Sequence, residues 1–308
     1  MAYLKNKKIA FKILKSLNKN KNSLSVTLTG SYSEHFDPLK AGDIDIIIIC
    51  KKLNKKFFNE CISILKKNKQ KYFGDRYELI INSTFGPIKF YKKNTIVFHL
   101  MIYDLKSHIN HTINSPFTCF DWERSNVYVG KSLKELSPVY NLQYRDFSEA
   151  RRSTQEYLKD LSKNRISYRE YNFKNKKIEL IKKYFEIDQL NKRDFIYHII
   201  KFLLINYIKY ESQKNLKISK KEIQKKFEEI VKNKFDLSEF NKLILLKTKK
   251  EDTSIQEPKK LAIRFLNKFD QYVKKQKKNN NIYFSRHKKT NVKKNIFLGQ
   301  KLNPNIVE

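Results

Sequence analysis

The chain of 308 residues is poor in cysteine, poor in acids and free of long apolar runs. Its three cysteines, Cys50, Cys61 and Cys119, lie far apart and form no Cys-x-x-Cys or Cys/His pattern. They fit reduced core thiols rather than a disulfide framework or a metal module. The first residues are basic but lack the uninterrupted apolar stretch of a signal peptide. The most apolar segment, residues 195–208, is broken by His198, Lys201 and Asn206 and is too short to span a bilayer. It reads as a buried helix, and the expectation is a soluble, cytoplasmic protein without a membrane partner. Acids number 31 against 66 lysines and arginines, a net charge of +35. A basic surface gains by releasing phosphate counterions, which invites a nucleic-acid partner. The lysines are nevertheless spread along the whole chain among many asparagines and cluster only over 274–294, so solvated lysines are the favoured reading. What is present is an apolar content of 40% with 13% aromatics, enough for a folded chain of about two domains.

The stretch Leu28 to Ile49 organises the rest. It reads as a strand from Leu24 to Thr29, a Gly30-Ser31 turn, a polar connection, and a second strand opening with Asp43 and Asp45. Residues two apart in a strand leave the same face. Ile46 to Ile49 form an unbroken apolar run, as in a strand covered on both sides. Two carboxylates at the mouth of a buried strand repel each other and lose hydration, and a divalent metal held by oxygen ligands neutralises such a pair well. Gly30 permits a tight turn and close approach to the main chain. Ser31 offers a hydroxyl and an amide, and a helix beginning there would present free N–H groups to a phosphate.

Gly30-Ser31, eleven intervening residues and Asp43-Ile44-Asp45 within apolar sequence resemble the signature of the polymerase-β-like nucleotidyltransferase superfamily. The resemblance covers roughly residues 5 to 135. It implies that Gly30 and Ser31 bind the triphosphate of a nucleoside triphosphate and that Asp43 and Asp45 hold Mg²⁺. A third carboxylate is expected from a later strand. In the strand-like run TIVFHLMIYDL, residues 95–105, Asp104 is the only acid and is the candidate. His99, mid-strand where the superfamily's third acid often falls, is the alternative, as ligand or proton acceptor. An ordinary Asp-x-Asp strand cap and a hydrogen-bonded core histidine are the competing plain readings.

In chain order, residues 5–19 and 54–70 read as amphipathic helices flanking the sheet. Strands are expected over 77–82 and 88–91, around a Phe85-Gly86-Pro87 turn. Residues 127–139 read as a last short strand, Gly130, and a helix start, with Lys131 a solvated turn residue or a phosphate contact. From Phe147 helical periodicity takes over, at 147–162, 176–187, 192–212, 219–233 and 258–276, giving a bundle of about five helices. Arg151 and Arg152 either face phosphates or line a solvated basic face, at most one of them pointing inward.

After a polar linker the tail IYFSRHKKTNVKKNIFLGQ resembles the opening of the histidine phosphatase (phosphoglycerate-mutase-like) superfamily. That resemblance implies a phosphoryl-accepting His287 and phosphate-binding roles for Arg286 and Thr290. Lys288 and Lys293 depart from that pattern, and one strand plus a loop assembles no pocket. A remnant of a fusion is one reading and coincidence another.

The expectation is an α/β (α+β) nucleotidyltransferase core with a mixed sheet over 1–140, an all-α domain over 141–276, and a linker with a short extended tail over 277–308. The expected activity is Mg²⁺-dependent transfer of a nucleotide from a nucleoside triphosphate to a hydroxyl of a small-molecule acceptor. The alternatives are transfer to RNA or protein, and an inactive binding module.

Overall fold

The computed structural model describes residues 2–38, 40–87, 94–174, 177–219, 222–232, 234–248 and 256–279. The chain is mixed α/β and divides into two compact units, Met1–Val139 with Ser167–Phe185, and Tyr140–Ile166 with Glu186–Glu308. Among the described residues no helix is long and apolar enough to cross a membrane.

The first unit is built on a five-stranded mixed sheet. Its strands are β1 (Ser23–Thr29), β2 (Ile44–Cys50), β3 (Glu78–Asn82), β4 (Thr95–Asp104) and β5 (Tyr128–Gly130), in the order β3-β4-β2-β1-β5. β2 and β3 run parallel to β4, while β1 is antiparallel to both β2 and β5. Side-chain alternation explains both faces. Val26, Leu28, Ile46, Ile48, Phe98, Leu100 and Ile102 pack under helices α1 (Ala2–Leu17) and α3 (Lys55–Phe73). Ile47, Ile49, Met101 and Tyr103 pack on the other face with Cys119, Trp122, Leu133 and Leu136.

All four isoleucines of 46–49 are fully buried, each contributing about 1.5–3 kcal/mol. That burial fixes the register, because a slip by one residue would turn every side chain to the wrong face. The three cysteines are free and buried, and burial pushes each thiol up to about 12.

Between β1 and β2 lies the short helix α2 (Tyr32–His35), fastened by Tyr32 and Phe36, both buried in the α1/α3 core. Between β4 and β5 the chain forms α4 (Leu105–Asn114) and α5 (Pro116–Trp122), and α6 (Leu133–Leu136) follows β5. The strand expected over 88–91 lies outside the described residues.

The expected helix over 176–187 is instead a strand. The chain forms a hairpin of β6 (Arg165–Lys174) and β7 (Lys177–Glu186), most of which belongs to the first unit. Ile178, Ile181 and Phe185 fit a helical face, but Ile178, Leu180 and Tyr184 fit period two as well, and periodicity alone does not decide between them. Pairing decides it. β6 offers Tyr171 and Phe173, which pack on Phe58 of α3, and Tyr171 Oη donates to the Ile102 carbonyl at 2.7 Å.

The second unit carries α7 (Tyr144–Leu161), α8 (Gln189–Ser212), α9 (Ile223–Val231), α10 (Ser238–Thr248) and α11 (Gln256–Asn279). Helix α10 was not expected, and α11 runs past the linker start anticipated at 277. The core of this unit is aromatic: Tyr207 and Phe269 touch each other, and each touches both Phe147 and Phe227. Arg286, His287 and Thr290, and with them the phosphatase-like tail, lie outside the described residues.

Candidate functional site

Asp45 is the second residue of β2 and stands opposite Thr29 on β1 and His99 on β4. It lies on the face that carries Ile47 and Ile49 deeper in the strand, and His99 lies on the face of Met101 and Tyr103. Asp43 directly precedes β2. The ligating atoms of Asp43, Asp45 and His99 all lie within 4.8 Å of one another. The three groups are part-buried at the sheet's rim, close enough to feel each other's charge.

Gly30 closes the site from the β1 side. Its φ is +71°, and a Cβ built there would stand 2.1 Å from Asp45 Oδ2, well inside contact distance. The carboxylate therefore occupies the space that any side chain at position 30 would need. Glycine is demanded twice, by the backbone conformation and by the close approach. Ser31 follows as the exposed N-cap of α2; its hydroxyl makes no capping hydrogen bond, while Ser33 Oγ donates to the Gly30 carbonyl at 2.7 Å. The Gly-Ser turn and the aspartate pair thus share one rim of the sheet.

His99 is held at both ring nitrogens. Nδ1 lies 2.8 Å from Asp45 Oδ1, and Nε2 lies 2.9 Å from the Thr84 carbonyl oxygen. Both partners are acceptors, so both contacts are hydrogen bonds only when both nitrogens carry protons. Burial alone would push the imidazole down. The hydrogen bond and charge of Asp45, the Thr84 carbonyl and the charge of Asp43 outweigh it and raise the ring above its ordinary value.

Thr84 is itself positioned by Asn82, the register partner of His99 on β3. Asn82 Oδ1 accepts from the Thr84 N–H at 3.1 Å and from Thr84 Oγ1 at 2.7 Å. Next along, Phe85 pairs with Arg169 of β6 through both backbone groups, so the hairpin buttresses the segment that fixes His99. Sequence reading missed Asn82 and Thr84. The available signal was an Asn-Ser-Thr cluster ending a strand, where an asparagine side chain commonly bonds the backbone two residues on.

Asp104 takes no part in this group. It pairs with Cys50 at the far end of the ladder that joins Asp45 to His99. Five residues of strand separate it from His99, about 17 Å. Its carboxylate caps α4, accepting from the Ser107 N–H at 2.7 Å. The expected third carboxylate is therefore a helix cap, and the position beside Asp45 holds an imidazole.

Lys131 is likewise remote from the turn. Gly130 pairs with Ser25, four residues along β1 from Thr29, or about 14 Å, and the Lys131 N–H donates to the Leu24 carbonyl. In the helical unit Arg151 pairs with Asp270, and Arg152 pairs with Glu149 and Glu156.

Two carboxylates and one imidazole in this arrangement are a donor set for a divalent cation. Ligand atoms about 2.1 Å from an ion stand about 3.0–4.2 Å apart, so a group already within 4.8 Å needs little movement to surround one. The tautomer that leaves Nδ1 free for the ion keeps its proton on Nε2, where the Thr84 carbonyl accepts it. No protein-family model, curated protein or solved structure matches the chain.

Proposed function

We propose that the chain is a nucleotidyltransferase, moving a nucleoside monophosphate from a nucleoside triphosphate to a hydroxyl of a small-molecule acceptor and releasing pyrophosphate. The observation that supports this reading most is the apposition of Gly30 and Asp45. The Gly30-Ser31 turn and a carboxylate pair suited to a cation stand together at one end of one sheet. Phosphoryl chemistry asks the protein mainly for position and charge. Asp43 and Asp45 would hold the divalent ion, Mg²⁺ in the expected scheme. That ion, when bound, supplies neutralising charge to the triphosphate and to the transition state.

The chain's own residues do the rest. Gly30 lets Asp45 pack against the turn, and the exposed Ser31 offers the triphosphate a hydroxyl at the same turn. His99, fixed through Nε2 by Thr84, keeps Nδ1 beside Asp45, donating to that carboxylate when protonated and free toward the ion when not. The acceptor oxygen forms a bond to the α-phosphorus, the bond to the pyrophosphate oxygen breaks, and the hydroxyl proton passes to solvent water, since Asp104 caps a helix at the other end of the strand and both His99 nitrogens are engaged.

One observation favours a second reading. An imidazole occupies the position beside Asp45 where the superfamily pattern puts a third carboxylate, and both its nitrogens are engaged. A site built this way suits a module that binds nucleotide without turning it over. Metal-dependent release of pyrophosphate from nucleoside triphosphates, tested over a panel of hydroxyl acceptors, decides between them. Release above an Asp45→Asn control supports transfer. Tight nucleotide binding with no release supports the module.

A further inference from the structure

We infer that the Asp43–Asp45–His99 site takes a nitrogen-accepting divalent ion of the first transition series in preference to Mg²⁺. The inference deepens the reading above, because it concerns the same three side chains, but it does not depend on the reaction.

Mg²⁺ is a hard ion that dehydrates reluctantly and is held by oxygen in near-ideal octahedral geometry. Imidazole nitrogen suits the later transition ions best, and Mn²⁺, the hardest of the series, is the most demanding probe of a nitrogen contribution. Here one of the three donors is the Nδ1 of His99, and its place in the structure is not accidental. Register puts His99 directly beside Asp45 on the neighbouring parallel strand. The opposite ring nitrogen is bound to the Thr84 carbonyl at 2.9 Å, which is how histidine ligands are ordinarily oriented. Thr84 is held in turn by the buried Asn82.

Charge argues the same way. Two carboxylates and a neutral ring present one negative charge fewer than three carboxylates, which weakens the purely electrostatic attraction on which a hard ion depends. A transition ion recovers part of that loss through its bond to nitrogen. The nearest alternative acid on β4, Asp104, is engaged as a helix cap at the other end of the strand and supplies no replacement charge.

The test uses the full chain and metal salts alone, without nucleotide. Manganese(II) chloride is titrated calorimetrically, with Mg²⁺ as competitor, and the Mn²⁺-loaded protein is studied by pulsed electron paramagnetic resonance. The expected result is Mn²⁺ binding about tenfold or more tighter than Mg²⁺, with nitrogen coupling from one histidine. In His99→Asp the coupling should vanish and the preference for Mn²⁺ should shrink several-fold. Equal affinity for the two ions, Mn²⁺ binding without nitrogen coupling, or no Mn²⁺ binding would each overturn the inference. The spectroscopy needs no variant, so a misfolded His99→Asp chain leaves the test intact. Mg²⁺-dependent pyrophosphate release without nitrogen coupling would sink the metal preference and spare the transfer reading. Nitrogen coupling without any release would do the reverse.

Discussion

Asp45 and His99 are register partners on adjacent parallel strands, and the imidazole Nδ1 stands 2.8 Å from the carboxylate. The pair ties the candidate site to the strongest part of the sheet, because both residues continue directly into buried apolar runs. Its titration is the first consequence. In chelator-treated protein the His99 imidazole titrates above its unfolded value of about 6.5. A raised histidine pKa stabilises the fold fully below the unfolded pKa, and that stabilisation is lost as pH rises through the folded pKa. His99→Gln should therefore be less stable than the native chain by about 1–2 kcal/mol near pH 6, with the gap closing at higher pH. Urea midpoints measured from pH 5.5 to 9 check this; a gap independent of pH would contradict it.

Gly30→Ala probes the close approach. A left-handed backbone costs a Cβ-bearing residue about 1–2 kcal/mol. The added methyl would also have to displace Asp45 Oδ2, which lies 2.1 Å from its position. Both loss of stability and loss of divalent-ion affinity are expected, read by thermal melting with and without metal. Unchanged metal affinity would mean that Asp45 is not a ligand.

Asp104→Ala tests whether the lone acid of β4 has any part in the site. As a helix cap its removal should cost about 1 kcal/mol of stability. Metal affinity and turnover of the folded protein should not move. A variant that folds but has lost either would restore Asp104 to the site.

Glu123 offers a check away from the site. Its carboxylate accepts from the Val139 N–H, and burial pushes its pKa up to about 7. A raised acid destabilises the fold as pH climbs from the unfolded value towards the folded one, and the full penalty stands above both. Glu123→Gln should therefore stabilise the chain by about 1–3 kcal/mol at pH 8 and by little near pH 4. Equal effects at the two pH values would contradict this.

Much of the fold was legible in short-range pattern. The isoleucine run of β2, the alternation of β1 and the amphipathic α1 and α3 announce themselves, because burial on one or both faces imposes a fixed period. The Gly30–Asp45 apposition was legible as a juxtaposition of two strand ends. The hairpin of β6 and β7 was not, since Ile178, Ile181 and Phe185 suit a helix and only pairing with β6 selects the strand. Asp104 misled for a related reason. Chemical type singled it out as the lone acid of its strand, whereas proximity to Asp45 follows register, and register puts His99 there. Asn82 and Thr84 act through a side-chain turn and a backbone carbonyl, which residue type alone does not reveal.

The central claim is that Asp43 and Asp45 hold a cation beside a phosphate-binding turn. Its most direct test is calorimetric binding of a non-hydrolysable nucleoside triphosphate to the native chain, Asp43→Asn and Asp45→Asn, each with and without divalent ion. The account predicts metal-dependent nucleotide binding in the native chain and loss of that metal dependence in both variants, each still melting in one cooperative transition. Nucleotide binding in the native chain that ignores the metal, or metal dependence that survives in either folded variant, would contradict it.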